Sequence, residues 1–190
     1  MTERAYLPAA GRDAFLWLYD PLVWLLGAQK IYRSLLDQAT LKPGQAVLDV
    51  GCGTGTLAVL IKRLHPAVDV IGLDPDPKAL ARASAKAQRA GLAVRFDRGF
   101  ADTLEYGDAS FDRVFSSMMF HHVPRDDKPK VLAEIRRVLK PGGSLEFLDI
   151  ARAGEDRMLR RLEEAGFVDV RKEGERKLVF GRVAFHQARR

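Results

Sequence analysis

The chain has 190 residues, of which 47% are apolar and 29% are charged. This size and balance predict one globular domain and exclude both a disordered chain and a pair of large domains. The single cysteine, Cys52, excludes an internal disulfide bond, so a reducing, cytoplasmic location is expected. The formal net charge is +6, but basic and acidic residues are mixed along several predicted helices, which favours solvated helix faces over a nucleic-acid surface.

Residues 1–42 are predicted to form a helical, aromatic segment that precedes a core over residues 43–190. The most apolar stretch of this segment, residues 15–28, is interrupted by Asp20 and Pro21 and is too short to cross a bilayer. The stretch also lacks a clear basic leader and a small-residue cleavage site. We therefore expect neither a membrane span nor a signal peptide.

After Pro43 and Gly44, strand patterns and helix patterns alternate. Apolar runs predict five strands, over residues 46–50, 68–73, 93–96, 112–116 and 144–150. Apolar residues at helical spacing and runs of helix formers predict helices over residues 57–64 and 79–90 and around Leu132, Ile135 and Leu139. A last helix over residues 155–165 and two closing strands over residues 167–170 and 178–185 follow.

This alternation predicts an α/β fold with a mostly parallel sheet and helices on both of its faces. Ligands bind such sheets beyond the carboxyl ends of the strands. The loops over residues 51–55, 74–76, 99–102 and 116–122 are therefore expected to meet at one site.

The strongest local signal is the glycine-rich turn after the first strand, VLDVGCGTG over residues 47–55. Its spacing is G-x-G-x-G rather than the G-x-G-x-x-G of dinucleotide-binding turns, because Thr56 stands at the final position. Glycines permit unusual backbone angles and the close approach of a ligand, and the following helix directs its free N–H groups at that ligand. A simple tight turn is the alternative interpretation.

Five segments in order resemble the class I S-adenosylmethionine-dependent methyltransferases, within the small-molecule branch that includes the ubiquinone and menaquinone C-methyltransferases. They are VLDVGCGTG at 47–55, GLDPDPKAL at 72–80, FADTLEYGDASFDRV at 100–114, MMFHHV at 118–123 and RRVLKPGG at 136–143. The resemblance implies a Rossmann-like, seven-stranded sheet with an antiparallel last strand. It also implies S-adenosyl-L-methionine as cofactor and in-line methyl transfer to a small-molecule acceptor.

The same resemblance assigns cofactor-binding residues. Asp74 would accept the ribose hydroxyls, although an N-cap for the next helix is the alternative. Phe100 departs from the commonest family pattern, in which an acid receives the adenine amino group. Asp102, two positions later, is a weak substitute for that acid and is expected to be a solvated loop acid. The complete predicted cofactor set is Tyr19, Asp49, Gly51, Cys52, Gly53, Gly55, Asp74, Pro75, Phe100, Ala101 and Ser116.

The segment after the fourth strand should lie near the transferred methyl group. His121 and His122 are candidate general bases, because imidazole titrates near neutral pH. Hydrogen-bonded structural histidines are the alternative. We expect no metal, because the sequence shows no cluster of His, Cys, Asp and Glu at metal-ligand spacing.

Two other functions compete with small-molecule methyl transfer. One is a nucleic-acid or protein methyltransferase, which only the net charge favours, and the other is a cofactor-binding protein without catalysis. The predicted connection between the fifth strand and the last helix has only four residues, 151–154, which reach about 13–14 Å when extended. That is too short to roof a cavity. Either a lid segment is missing from this connection or, as we expect, the acceptor side has a wide opening next to residues 116–122.

Overall fold

The computed structural model of the chain describes residues 28–151, 157–178 and 181–190. Its strands form one sheet of seven. The strands are β1 (Ala46–Val50), β2 (Asp69–Asp74), β3 (Arg95–Arg98), β4 (Phe111–Ser117), β5 (Leu139–Ile150), β6 (Val168–Leu178) and β7 (Gly181–Arg189). The helices are α1 (Ala28–Ala39), α2 (Thr56–Leu64), α3 (Pro77–Arg89), α4 (Lys128–Val138) and α5 (Arg157–Glu164), with a 3₁₀ turn at Phe120–His122.

The strand order is β3-β2-β1-β4-β5-β7-β6. Strands β1 to β5 are parallel, and β7 runs antiparallel between β5 and β6. The predicted fold class is therefore confirmed, including the reversed last strand. The chain moves outward in one direction from β1 to β3 and then crosses back to β4, so the carboxyl ends of β1 and β4 flank the switch point where such sheets bind ligands.

Helices cover both faces of the sheet. On one face, α4 and α5 bury Val131, Leu132, Ile135 and Leu162. On the other face, α1 and α2 bury an apolar set that includes Leu35, Leu36, Leu57 and Ile61. Burying each of these aliphatic side chains contributes roughly 1.5–3 kcal/mol, which is why the two amphipathic layers hold the sheet between them. None of the helices in the described ranges is long and apolar enough to cross a membrane.

Two predicted boundaries in the middle of the chain were wrong. Strand β3 covers Arg95–Arg98, two residues later than expected, because its register is set by pairing with β2. Leu139 was predicted on the apolar face of the fourth helix, yet α4 ends at Val138 and Leu139 opens β5. Leu139 is fully buried opposite Phe111 of β4, and tertiary pairing at this position overrides the helical spacing.

The closing strands were also placed too early in the sequence. They cover Val168–Leu178 and Gly181–Arg189, whereas the apolar runs predicted residues 167–170 and 178–185. The charged stretch over 171–177 shows no apolar alternation because β6 is the edge strand and most of it is exposed. The predicted helical segment over residues 1–42 is described only from Ala28 onward, where α1 agrees with it.

Candidate active site

The carboxyl edge of the sheet surrounds a cavity of about 410 Å³, a size within the range of small-molecule sites. All four loops that the sequence predicted to meet contribute to its wall, so that prediction is confirmed. The predicted site residues that line the cavity are Asp49, Gly51, Cys52, Gly53, Asp74, Pro75, Phe100, Ala101 and His122.

Three predicted site residues do not line the cavity. Gly55 is the residue before α2, Ser116 is completely buried within β4, and His121 lies beside the cavity-lining His122. The neighbour of Ser116 on β4, Ser117, lines the cavity instead. Tyr19 lies outside the described residues. The part that each of these residues plays in binding stays a prediction.

Packing within the protein already requires glycine at two positions of the glycine-rich turn. Gly51 has a φ of 72°, and a Cβ there would lie 2.1 Å from Cγ of Met119. Gly55 also has a φ of 72°, and its Cβ would lie 2.7 Å from the Cβ of Ala83 on α3. Both distances are far below contact, so glycine is required at these two positions before any ligand is considered.

Asp74 is held by two backbone groups at the end of β2. Its Oδ2 accepts the N–H of Gly53 (2.9 Å), and its Oδ1 accepts the N–H of Asp76 (2.9 Å). The N-cap interpretation of Asp74 is wrong, because the cap of α3 is Asp76, whose Oδ1 accepts the N–H of Lys78 (2.8 Å). A carboxylate offers about four lone-pair positions. Asp74 therefore keeps acceptor capacity for a ligand in the cavity.

Asp49 is the most unusual charged group of the site. It is almost completely buried, lines the cavity, and its Oδ2 has no hydrogen-bond partner among the described residues. Burial and, to a smaller extent, the charge of Asp74 raise the pKa of Asp49, the N–H of Ala58 in the first turn of α2 lowers it, and the resulting pKa is about 7. Since a buried anion without a partner is costly, this geometry favours a cationic group in the cavity.

Asp102 was predicted to be a solvated loop acid, and that interpretation was wrong. Asp102 is buried and lines the cavity, with Nζ of Lys130 3.7 Å from its Oδ2. A β-bridge between Phe100 and Thr103 turns this loop back on itself and carries the carboxylate inward. Sequence alone did not reveal this turn, because the loop contains no glycine or proline between these two residues.

Cys52 lines the cavity without the properties of a nucleophile. Burial raises the pKa of its thiol well above the ordinary value, and the charges of Asp49 and Asp74 raise it further. The thiol therefore stays protonated near neutral pH, since reactive cysteines need the opposite environment. Among the described residues, no group of three or more His, Cys, Asp and Glu side chains could hold a metal ion.

The segment after β4 brings the two histidines to the edge of the cavity. Met118 has a φ of 54°, and its N–H donates to the carbonyl of Leu148 on β5 (2.8 Å). This bend leads into the 3₁₀ turn that carries His121 and His122, whose ring centroids lie 4.0 Å apart. Burial lowers the pKa of His122, and the neighbouring His121 lowers it further.

Sequence reasoning missed Asp149, near the carboxyl end of β5. Its Oδ2 accepts the backbone N–H of His121 (2.8 Å), and its Oδ1 lies 2.6 Å from Nδ1 of the same histidine. One signal could have found it, because Asp149 is an acid at the end of a predicted strand and parallel strands end at the same edge. The neighbouring pair of β4 and β5, Ser117 and Leu148, confirms that register.

The fold and this site together define a class of protein. A doubly wound sheet, a glycine-rich turn after β1 and an acid at the end of β2 surround a pocket at the carboxyl edge of the sheet, where such sheets bind ligands. Residues 47–143 match the family described as "Methyltransferase domain". The chain belongs to this family of methyltransferase domains, and the resemblance seen in the sequence is confirmed.

Two named methyltransferases are among the relatives of the chain. The chain is 39% identical over 117 residues to the demethylmenaquinone methyltransferase of Thermus thermophilus, covering 62% of this chain and 52% of that protein. It is 36% identical over 180 residues to the 27-O-demethylrifamycin SV methyltransferase of Amycolatopsis mediterranei, covering 82% and 64%. The chain spans about half the length of the curated relatives that it matches.

A solved structure of low identity shares the fold. The phosphoethanolamine N-methyltransferase 2 of Haemonchus contortus, in complex with S-adenosyl-L-methionine, superposes with a TM-score of 0.74 at 22% identity. The match covers 87% of this chain and 44% of that chain. At this identity the similarity demonstrates the fold.

Proposed function

We propose that the chain binds S-adenosyl-L-methionine in the cavity and transfers its methyl group to a small-molecule acceptor. The observation that carries this proposal is the buried carboxylate of Asp49, a residue of the cavity wall, whose Oδ2 has no hydrogen-bond partner among the described residues. A ligand with an ammonium and a sulfonium group would supply positive charge near this carboxylate. Membership of the methyltransferase domain family supports the same function.

The other walls of the cavity fit the remaining parts of this cofactor. The free lone pairs of Asp74 suit the two ribose hydroxyls, because charge-assisted hydrogen bonds of this kind are strong. Pro75 and Phe100 supply apolar surface for the adenine ring, and the backbone of Ala101 lies on the same wall. Phe100 cannot accept a bond from the adenine amino group, and we assign that part to the buried carboxylate of Asp102.

In the reaction, the chain mainly positions the methyl donor and the acceptor and excludes water. The bound cofactor supplies a methyl group on a sulfonium, which is already an activated electrophile. Asp49 and the turn around Gly53 hold the charged end, and Ser117, Met118 and Met119 line the wall beyond it. Holding donor and acceptor in line at a site shielded from water accounts for large rate effects without covalent chemistry.

The class of acceptor, the cellular location and the domain organisation belong to the same proposal. The names of the two curated relatives point to small molecules as their acceptors, and we infer a small-molecule acceptor here in preference to nucleic acid. We further propose a cytoplasmic location. Residues 1–42 are proposed to form a cap and residues 43–190 the cofactor-binding core of one domain.

Calorimetric titration with S-adenosylmethionine and S-adenosylhomocysteine tests the cofactor assignment. Replacement of Asp74 by Ala should weaken binding by about 1.5–3 kcal/mol, the cost of losing a hydrogen bond to a charged group. Asp69→Ala is the matched control, because Asp69 is exposed at the opposite end of the same strand. Equal affinities of the two folded variants would refute the ribose assignment, and absence of binding to the unmodified chain would refute the proposed function.

A further inference from the structure

We propose that Lys86, on α3, is a positioning residue that makes the cavity selective for a ligand with a carboxylate group. It acts through the hydroxyls of Thr54 and Thr56, which belong to the cavity wall. This inference rests on the proposed function, because the carboxylate is that of the amino-acid end of S-adenosyl-L-methionine. Asp49 balances the positive groups of that end, and Lys86 balances its negative group.

Hydrogen bonds hold Lys86 against the residues at the end of the glycine-rich turn. Its Nζ donates to Oγ1 of Thr56 (2.8 Å) and to Oγ1 of Thr54 (3.4 Å), and the two hydroxyl oxygens lie 3.5 Å apart. An ammonium group only donates hydrogen bonds, so both hydroxyl oxygens act as acceptors towards the lysine. Each hydroxyl therefore directs its own hydrogen away from the lysine and towards another acceptor.

Both threonines line the cavity, whereas Lys86 stands behind them. Thr54 is buried, and Thr56 is the first residue of α2. Helix α3 packs closely against this turn, since a Cβ on Gly55 would lie 2.7 Å from the Cβ of Ala83, one helical turn before Lys86. The two hydroxyls therefore separate the lysine charge from the cavity by a single layer of side chains.

The charge of Lys86 reaches the cavity wall. Burial raises the pKa of the Cys52 thiol, and the charge of Lys86 opposes that increase. Cys52 lies on the same turn and lines the cavity. A negative group of a ligand at this turn would therefore be stabilised by the same charge, and more strongly than in water, because the surroundings are buried.

The start of α2 places an acid and these donors within one helical turn. The N–H of Ala58, two residues after Thr56, donates to Asp49, whose Oδ2 has no hydrogen-bond partner among the described residues. Gly55, the N-cap of α2, offers no side-chain bond to the first N–H groups of the helix. These N–H groups form the positive end of the helix dipole. The unpaired oxygen of Asp49 and the donors beside it match the two charges of an amino-acid group.

The carboxylate of such a group needs a positive partner, because an unpaired buried anion is costly. Among the described residues of the cavity wall there is no lysine and no arginine, and the wall carries several aspartates. The compensating charge must therefore act from behind the wall in this part of the chain. The contacts of Thr54 and Thr56 place Lys86 in that position.

Calorimetric titration with two ligands tests this role. S-adenosylhomocysteine carries both the amino group and the carboxylate, and its decarboxylated analogue lacks only the carboxylate. The unmodified chain should bind S-adenosylhomocysteine at least about tenfold more tightly, as expected for hydrogen bonds to a charged group. Lys86→Met should reduce this ratio to less than about threefold, through weaker binding of S-adenosylhomocysteine and with little change for the analogue.

Arg89→Met is the matched control, because Arg89 is an exposed cation on the same helix and its Nε donates to the carbonyl of Ala85. This variant should keep the ratio of the unmodified chain. Lys86→Arg retains the charge and should keep most of the ratio. Thr56→Val removes a hydroxyl that transmits the charge, so the effects of Thr56→Val and Lys86→Met should not be additive.

Three results would overturn this inference. One is equal affinity of the unmodified chain for both ligands. Another is an equal loss of both ligands in Lys86→Met, which would make the lysine a structural support of the turn. The third is a reduced ratio in Arg89→Met, which would assign the selectivity to the general field of the protein.

Chemical denaturation identifies any variant that does not fold. If Lys86→Met is unfolded, Lys86→Gln and Thr56→Val replace it, and an unchanged ratio in both would equally overturn the inference. Failure of the unmodified chain to bind S-adenosylhomocysteine and S-adenosylmethionine at all would instead refute the proposed function, so the two failures are distinguishable.

Discussion

The cavity has two walls that are built differently. The cofactor wall (residues 49–55, 74–76 and 99–102) consists of backbone turns and buried carboxylates that are fixed by backbone N–H groups, as at Asp74. The acceptor wall (residues 117–119 and 122–124) consists of side chains on a bent segment, and His121 beside it pairs with Asp149. Changes to the cofactor wall should therefore affect folding and binding together, whereas changes to the acceptor wall should affect turnover alone.

The two walls meet at one contact. Gly51 of the cofactor wall lies against Met119 of the acceptor wall, so closely that a Cβ on Gly51 would overlap the methionine side chain. At this contact, a change in one wall should therefore also affect the other wall. The predictions below test that independence, beginning with the contact itself.

The largest effect is expected for Gly51→Ala. The new Cβ would lie 2.1 Å from Cγ of Met119 at a φ of 72°, so both overpacking and backbone strain oppose it. Together they should lower the free energy of unfolding by about 4 kcal/mol and abolish cofactor binding. Chemical denaturation measures the first effect and calorimetry the second.

Gly91→Ala provides the control for Gly51→Ala. Gly91 has a φ of 65°, but a Cβ there has nothing within 4 Å, so only the strain of about 1 kcal/mol applies. Similar losses of stability in the two variants would show that Met119 yields easily and that the walls are not coupled through this contact.

Asp49→Asn should change both stability and binding on the cofactor wall, in opposite directions. The folded chain keeps a proton on Asp49 up to about pH 7, whereas the unfolded chain releases it near 3.8. The free energy of unfolding therefore falls as the pH rises between these values, and the full cost is present above pH 7. Asparagine removes that cost, so the ligand-free variant should gain roughly 2–3 kcal/mol at pH 8.

The same variant should bind S-adenosylmethionine at least tenfold more weakly, since it loses a charge that faces a cationic ligand. Denaturation at pH 5 and pH 8 checks the stability, because the gain should shrink at the lower pH. A variant that is destabilised at pH 8 would show that the Asp49 carboxylate already has a favourable partner.

The pH dependence of cofactor binding is the third expected effect. Binding of a cation requires Asp49 to be ionised, and its pKa in the ligand-free chain is about 7. Affinity for S-adenosylmethionine should therefore fall as the pH drops below 7, approaching tenfold, or about 1.4 kcal/mol, per unit. Calorimetry between pH 8 and pH 5.5 measures the slope, and Asp49→Asn should remove most of it. A flat profile in the unmodified chain would contradict the assignment.

The smallest effect is expected for Lys130→Ala. Nζ of Lys130 lies 3.7 Å from Asp102, but the lysine side chain is 61% exposed, so solvent screens the pair. Thermal denaturation should show a change within about 0.5 kcal/mol, and cofactor affinity should change less than threefold. A much larger loss of affinity would mean that this lysine holds Asp102 in its position within the cofactor wall.

Local pattern in the sequence was sufficient for the fold class and for the place of the site. Apolar spacing and helix stops located most strands and helices, because backbone preference and one-sided burial repeat at short range. The motif over residues 47–55 identified the ligand-binding turn, and the family resemblance is confirmed by the match over residues 47–143. Element ends failed where neighbouring strands determine register, as at Leu139 and along the exposed edge strand β6.

Only the tertiary structure decided the charge states of the site residues and the contacts between their side chains. Asp149 lies 28 positions from His121, and Met119 lies far along the chain from Gly51, so no local spacing could predict either contact. The raised pKa of Asp49 depends on burial and on the charge of Asp74, and Asp102 faces inward only because its loop folds back. The sequence determined which elements form and where their loops gather, through short-range interactions. Folding determined which side chains touch there and which of them remain charged, because both depend on contacts and desolvation between distant parts of the chain.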